Sequence, residues 1–213
     1  MELYIHIPFC VRKCAYCDFL SFPQTKEVMQ QYVEKLIEEI RWAGKQYPDR
    51  AISSIFIGGG TPSILDAEQM TAIMHAVREA FYIEETAEIS IEANPGTVTE
   101  EKLRAYRDAG INRISFGLQS AELKELKLLG MIHTYEEFLE SDQMARILRS
   151  DTLMDMIRHD GFSQQRRIRL CNSQCKRVET TDMVLLVPTI NFLSCRQTYM
   201  VRLLHMKSFS VKF

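Results

Sequence analysis

Leu3, Ile5 and Ile7 alternate with Tyr4 and His6, and this two-residue period predicts a strand ending near Pro8. From Lys26 to about Gln46 the period lengthens. Val28, Met29, Tyr32, Val33, Leu36, Ile37, Ile40 and Ala43 recur at three and four, the stripe of an amphipathic helix of about five turns. Glu34, Glu38 and Glu39 form a solvated face, and Pro48 and Asp49 end the helix. Ile52–Ile57 predicts a second, buried strand. Asp66 is placed to cap a helix over about 67–82 that turns Met70, Ile73, Met74, Val77 and Phe81 inward. Ala87–Ile91 predicts a third strand. Thr99 then has the character of an N-cap, with Lys102 where a capping box needs Glu or Gln, so half of that motif is present. Leu103, Tyr106 and Ala109 line the helix that follows, and Gly110 stops it. Ile111–Phe116 predicts a fourth strand, and a last helix covers about 135–148 through Tyr135, Phe138, Leu139, Met144, Ile147 and Leu148.

Strand then helix, four times over, predicts parallel pairing with right-handed crossovers. Each unusual motif falls just after a strand: the cysteine loop 10–17, Gly58–Ser63, Glu92–Gly96 and Gly117–Ser120. In a (β/α) barrel those strand ends share one rim, and that rim carries the chemistry.

Composition narrows the class. The 213 residues are 46% hydrophobic and 25% charged, a globular balance. No apolar run reaches the roughly 18 residues of a membrane span, and the first residues lack a leader's pattern, so a cytoplasmic protein is expected. The net charge of −2 offers no electrostatic case for nucleic acid. Residues 1–150 hold 16 of the 26 Lys+Arg and 23 of the 28 Asp+Glu, whereas residues 151–213 are net basic and hold one glycine, Gly161, of nine. A jump of this size predicts a boundary near residue 150.

Cys10, Cys14 and Cys17 stand at spacing C-x3-C-x2-C. So short a loop can close three sulfurs around an iron–sulfur cube, leaving one of four irons open for a small molecule. Zinc with Asp18 as a fourth ligand and structural cysteines remain alternatives on spacing alone. Arg12 and Lys13 would favour thiolates. Gly58-Gly59-Gly60 permits close approach of a ligand to the backbone, although a plain strand-to-helix turn would also use glycines. Glu92 taken alone reads as a surface acid, and His6 as a hydrogen-bonded structural histidine.

Tyr4-Ile5-His6-Ile7-Pro8-Phe9-Cys10, with Cys14, Cys17 and Asp18-Phe19, resembles the opening of radical S-adenosylmethionine (SAM) enzymes. More narrowly it is similar to their coproporphyrinogen-oxidase-like branch, and within that to the HemW-type heme chaperones. The resemblance runs from about residue 2 to about residue 149. It implies an α/β fold, a partial (β/α) barrel of about four units, with a [4Fe-4S] cluster on Cys10, Cys14 and Cys17. It implies SAM contacts at Gly59, Gly60 and Thr61 for the amino end, at Glu92 for ribose hydroxyls or the amino group, and at Gln119, Tyr4 and Tyr16. A low-potential donor of flavodoxin or ferredoxin type would reduce the cluster, and SAM would be cleaved to methionine and a 5′-deoxyadenosyl radical. Heme or a porphyrinogen is the further ligand implied; no catalytic residue beyond the cluster is assigned.

Two positions depart from the pattern. Oxygen-independent coproporphyrinogen oxidases carry a fourth cysteine two residues after the third, where this chain has Phe19. The family's SAM-contacting Arg after the fourth strand is replaced by Met131. The expected function is therefore that of a HemW-like heme chaperone. The alternatives are an oxygen-independent coproporphyrinogen III oxidase, which decarboxylates propionate side chains oxidatively, and an inactive truncated fragment.

After Ser150 the family continues with an Asp-bearing fifth strand and a glycine-rich loop, motifs not found in Asp151–Gly161 or beyond. The expectation is a coding sequence that left its ancestral frame near residue 150. Residues 150–213 would then be an atypical, poorly ordered tail with few contacts to residues 1–149. The edge of Ile111–Phe116 would lie open, with Met183–Val187 and Tyr199–His205 as weak substitutes to cover it. Cys171, Cys175 and Cys195 read as chance cysteines and not as a second metal site. Arg166, Arg167 and Arg169 lack the aromatic interleaving of a nucleic-acid site.

Overall fold

The computed structural model describes residues 1–14, 17, 20–147, 151–159, 165–171 and 183–186. Its first four strands and the helices between them follow the alternation in the sequence: β1 Glu2–Ile7, α1 Lys26–Gln46, β2 Ala51–Gly59, α2 Ala67–Ala80, β3 Tyr82–Ala93, α3 Glu100–Asp108 and β4 Arg113–Gln119. Two further helices, α4 Leu123–Leu129 and α5 Tyr135–Ile147, lead to β5 Asp151–His159, β6 Gln165–Cys171 and β7 Met183–Leu186. One sheet holds all seven strands in the order β6-β5-β4-β3-β2-β1-β7. Every pairing is parallel except that of β5 with β6.

The two-residue period decides which face is covered. Leu3, Ile5 and Ile7 of β1, Ile55 and Ile57 of β2, Ile89 and Ile91 of β3, and Ile114 and Phe116 of β4 are all buried in one apolar core. Tyr32, Val33, Leu36 and Ile40 of α1, Met70, Ile73 and Val77 of α2, and Leu103 and Tyr106 of α3 complete it. Each such aliphatic side chain contributes about 1.5–3 kcal/mol by leaving water. The alternate positions, Tyr4, Phe56, Ser90, Glu92 and Ser115, occupy the opposite face, joined by the registers Tyr4↔Phe56, Phe56↔Ser90 and Glu92↔Ser115.

The expected cap Thr99 forms, and Thr25, which was not among the expectations, caps α1. Thr25 accepts from Val28 N at 3.4 Å, and Thr99 accepts from Lys102 N at 3.2 Å. Ahead of α2, Asp66 N donates to Gln69 Oε1 at 3.0 Å.

Three expectations are corrected. β3 begins at Tyr82, five residues early, because its exposed first half pairs with β2 at Ala51↔Tyr82 and Ile52↔Ile83. Helix α4 was not foreseen. The edge of the fourth strand is not open: β5 runs parallel along β4 from Arg113↔Asp151 to Gln119↔Met156. α5 itself supplies the crossover that delivers this strand, so the change of composition near 150 does not end the parallel sheet. On the other side, Glu2–Ile5 pairs with Met183–Leu186, burying Val184 and Leu186. The tail thus meets residues 1–149 along both flanks of their sheet. Tyr199–His205, Cys175 and Cys195 lie outside the described residues; Cys171 and the three arginines belong to β6, described by its backbone only.

Candidate functional site

The ends of β1 and β2 build the site. Phe9 is fully buried, its ring edge-on to Tyr32 and Phe22 with centroids 5.1 and 6.2 Å away. Phe22 N donates to Pro8 O at 3.1 Å and Cys10 N to Phe22 O at 3.2 Å, so the neck of the cysteine loop is closed by a backbone bridge. Within the loop, Cys17 N donates to Cys14 O at 3.2 Å. The Arg12 guanidinium donates to the carbonyl of Gly130. Gly130 ends α4 in the left-handed region, φ 73°, where a side chain is disfavoured.

Cys10, Cys14 and Cys17 line one cavity of about 90 Å³ with Gly59, Gly60, Thr61, Glu92, Asn94, Gln119 and Met131. The rim foreseen from four strand ends is therefore one place. Gly60 packs directly under the loop. Its N–H donates to Ile7 O at 2.8 Å, and a Cβ there would lie 2.5 Å from Phe9 O and 3.0 Å from Cys10 Sγ. Thr61 N donates to Phe9 O at 2.7 Å, and Gly59 N to the Glu92 carboxylate at 3.2 Å. With these three N–H groups already engaged, an ammonium entering the turn meets carbonyl and carboxylate oxygens, its natural acceptors.

The three cysteines fit a group of net positive charge. Burial, and then the charges of Cys17 and Cys10, push the Cys14 thiol up; Arg12 and Lys13 pull it down and are outweighed. The expected help from Arg12 and Lys13 is real in direction and insufficient in size. Iron bound to the sulfurs would supply the missing compensation. Among the described residues no three His, Cys, Asp or Glu donors are gathered around the position of a single metal ion. A cubic cluster differs in giving each thiolate its own iron.

The remaining residues sort by position. Glu92, Gln119, Gly59, Gly60 and Thr61 reach the cavity. Gln119 does so with φ 68°, the one non-glycine residue of positive φ among the described residues, a strain associated with functional positions. Tyr4 is not in the lining. Its ring stacks on Phe56 at 5.9 Å, its hydroxyl lies 3.3 Å from His6 Nδ1, and burial and then the Glu92 charge push its pKa well up. Tyr16, Asp18 and Phe19 lie outside the described residues. His6 is the structural histidine expected, Nε2 donating to Leu20 O at 3.3 Å, its pKa lowered by burial. Met131 does line the cavity, packed with Leu126, Leu129 and Cys14.

Asn94, Ser115, Gly117 and Gly130 also line it and were missed. The signal for two of them was present: Ser115 and Gly117 share a strand face with Gln119 at a period of two. Asn94 stands two residues beyond Glu92 in the same strand-end motif.

Comparison with known proteins agrees with this geometry. A family model described as the radical SAM superfamily matches residues 4–173. The heme chaperone HemW of Haemophilus influenzae is 40% identical over 152 residues, covering 69% of this chain and 40% of that protein. Its counterpart from Escherichia coli is 42% identical over 146 residues, covering 68% and 39%. The chain thus spans about two fifths of the length of these relatives. The structure of the Escherichia coli coproporphyrinogen III oxidase (HemN), a radical SAM enzyme, superimposes with a TM-score of 0.68 at 31% identity, over 73% of this chain and 36% of that one. Among the described residues no helix is long and apolar enough to cross a membrane.

Proposed function

This chain belongs to the radical SAM superfamily, whose cofactors are SAM and a [4Fe-4S] cluster, and from that premise we propose that it is a heme chaperone of the HemW type. The observation that supports the reading is the convergence of Cys10, Cys14, Cys17, Glu92 and Gln119 on one cavity in a chain about 40% identical to heme chaperones.

In this reading Cys10, Cys14 and Cys17 would hold the cluster, and the turn Gly59–Thr61 would hold the amino end of SAM. Bound together, cluster and SAM supply one-electron reductive cleavage of the sulfonium, with the electron drawn from a flavodoxin- or ferredoxin-type donor. The chain's own residues bind and shield. Glu92 accepts from the ammonium or ribose hydroxyls of SAM, and Gln119 fixes its other polar edge. Phe9, Phe22 and Tyr32 close the neck of the loop, and Leu126, Leu129 and Met131 keep water from Cys14. Heme is the cargo.

The coproporphyrinogen oxidase reading is favoured by one observation, the superposition on that enzyme. Anaerobic reconstitution of the chain, followed by heme titration and by assay of coproporphyrinogen decarboxylation, separates the two. About four irons per chain and heme binding without turnover are expected. Decarboxylation would install the oxidase instead, and a chain that takes up no iron would remove both.

A further inference from the structure

We propose that Asn94 holds the Thr61 hydroxyl as a hydrogen-bond donor to the Cys10 thiolate, and that this chain of two bonds raises the reduction potential of the cluster. The inference rests on the cluster reading above and assigns Asn94 a role as a positioning residue.

Thr61 Oγ1 lies 3.4 Å from Cys10 Sγ, and Asn94 Nδ2 lies 3.1 Å from the same hydroxyl oxygen. Thr61 is 3% exposed, so bulk water does not compete for its proton. The direction of the chain follows from the chemistry of its end. An iron-bound thiolate has no proton and can only accept, and a threonine hydroxyl has one proton to give. Thr61 therefore donates to sulfur and accepts from the Asn94 amide. The opposite order would leave both ends acceptors.

The backbone that carries this side chain is held from behind. Asn94 N donates to Ser63 Oγ at 3.3 Å, and Asn94 O accepts from Thr97 Oγ1 at 2.6 Å and Thr97 N at 3.1 Å. Lys102 Nζ donates to Ser63 O at 2.7 Å and Thr97 O at 3.3 Å, closing the loops after β2 and β3 into one body. The loop with the glycines and the loop with Glu92 thus fix one donor toward one ligand. Reduction adds negative charge to cluster and thiolates, so a donor on sulfur stabilises the reduced state more than the oxidised. Cys14 packs against Leu126, Leu129 and Met131 instead, so this donor serves Cys10 and not Cys14.

The test is a potentiometric titration of the reconstituted full chain, with the reduced cluster read by electron paramagnetic resonance. At the wild-type midpoint, T61V should lower the reduced-to-oxidised ratio about tenfold, equivalent to about 59 mV for one electron. T61S should restore it, and N94A should shift it in the same direction by less. A loaded T61V cluster with the wild-type midpoint overturns the proposal, as does a T61S variant that behaves like T61V. Should the variants fail to hold a cluster, electron–nuclear double resonance of the wild-type chain in D2O decides. A strongly coupled exchangeable deuteron is expected, and its absence overturns the hydroxyl donor. A wild-type chain without a cluster overturns the underlying reading as well, and iron content alone reveals that case.

Discussion

The two walls of the cavity differ in kind. Cys10 stands against a polar wall, in which Thr61, Asn94, Ser63, Thr97 and Lys102 form a continuous chain of hydrogen bonds between the loops after β2 and β3. Cys14 stands against an apolar wall made by α4 and the turn behind it, Leu126, Leu129 and Met131. One wall stabilises charge on a ligand, and the other raises the cost of charge by withdrawing water. A site that must carry a cluster and a charged cofactor needs both. It needs fixed dipoles where charge resides and dryness where reactive chemistry must be protected.

The strongest break is to remove a ligand. Replacing Cys10, Cys14 or Cys17 by Ala should abolish cluster assembly, measured as iron per chain, whereas Cys171→Ala should leave it intact. An iron content unchanged in the first three would show that neither wall serves a cluster. Next is the clamp behind the polar wall. Lys102→Met removes a charged donor from two carbonyls and should cost about 1.5–3 kcal/mol, read from denaturant midpoints. If stability is unchanged, the two loops are held by other means.

The contrast between the walls can then be reduced. Glu92→Ala should weaken SAM binding by about 1–3 kcal/mol by calorimetry on loaded protein. Met131→Arg, which places a cation in the apolar wall, should tighten it. The smallest effect belongs to His133, buried behind that wall, with Nε2 donating to Leu118 O at 3.1 Å and Nδ1 without a partner among the described residues. Burial lowers its pKa, so the folded chain resists a proton that the unfolded chain binds near pH 6.5. The unfolded state then holds more protons, and stability falls as pH drops below about 6.5. His6 is lowered by the same cause and acts with the same sign. Denaturant midpoints at several pH values should show a shallower acid loss in H133Q than in the wild type.

Where local pattern and tertiary structure agree, the sequence was legible. The alternation of β1 and the stripe of α1 mark faces that are in fact buried, and the cysteine spacing and strand-end motifs located the cavity. α4 escaped because seven residues with leucines at 123, 126, 128 and 129 offer no clear stripe. Only Gly130 at its end and the packing of Leu126 and Leu129 against Met131 define it. β5 escaped for a different reason. Its composition departs from the preceding 150 residues, but strand pairing is made by backbone groups, and these align along β4 whatever the side chains. The polar chain to Cys10 was invisible because it joins residues 51 and 33 positions apart.

The glycine beneath the loop has a consequence for tolerance. Side chains hop between rotamers, and a ligand propped on one inherits that play. Here the backbone of Gly60 itself lies under the loop. The amides of Gly60 and Thr61 grip the carbonyls of Ile7 and Phe9, and Cys10 Sγ is as near as a missing methyl group would allow. The height of the first ligand above the sheet is therefore gauged by the spacing of the strands themselves, the least variable length in the fold.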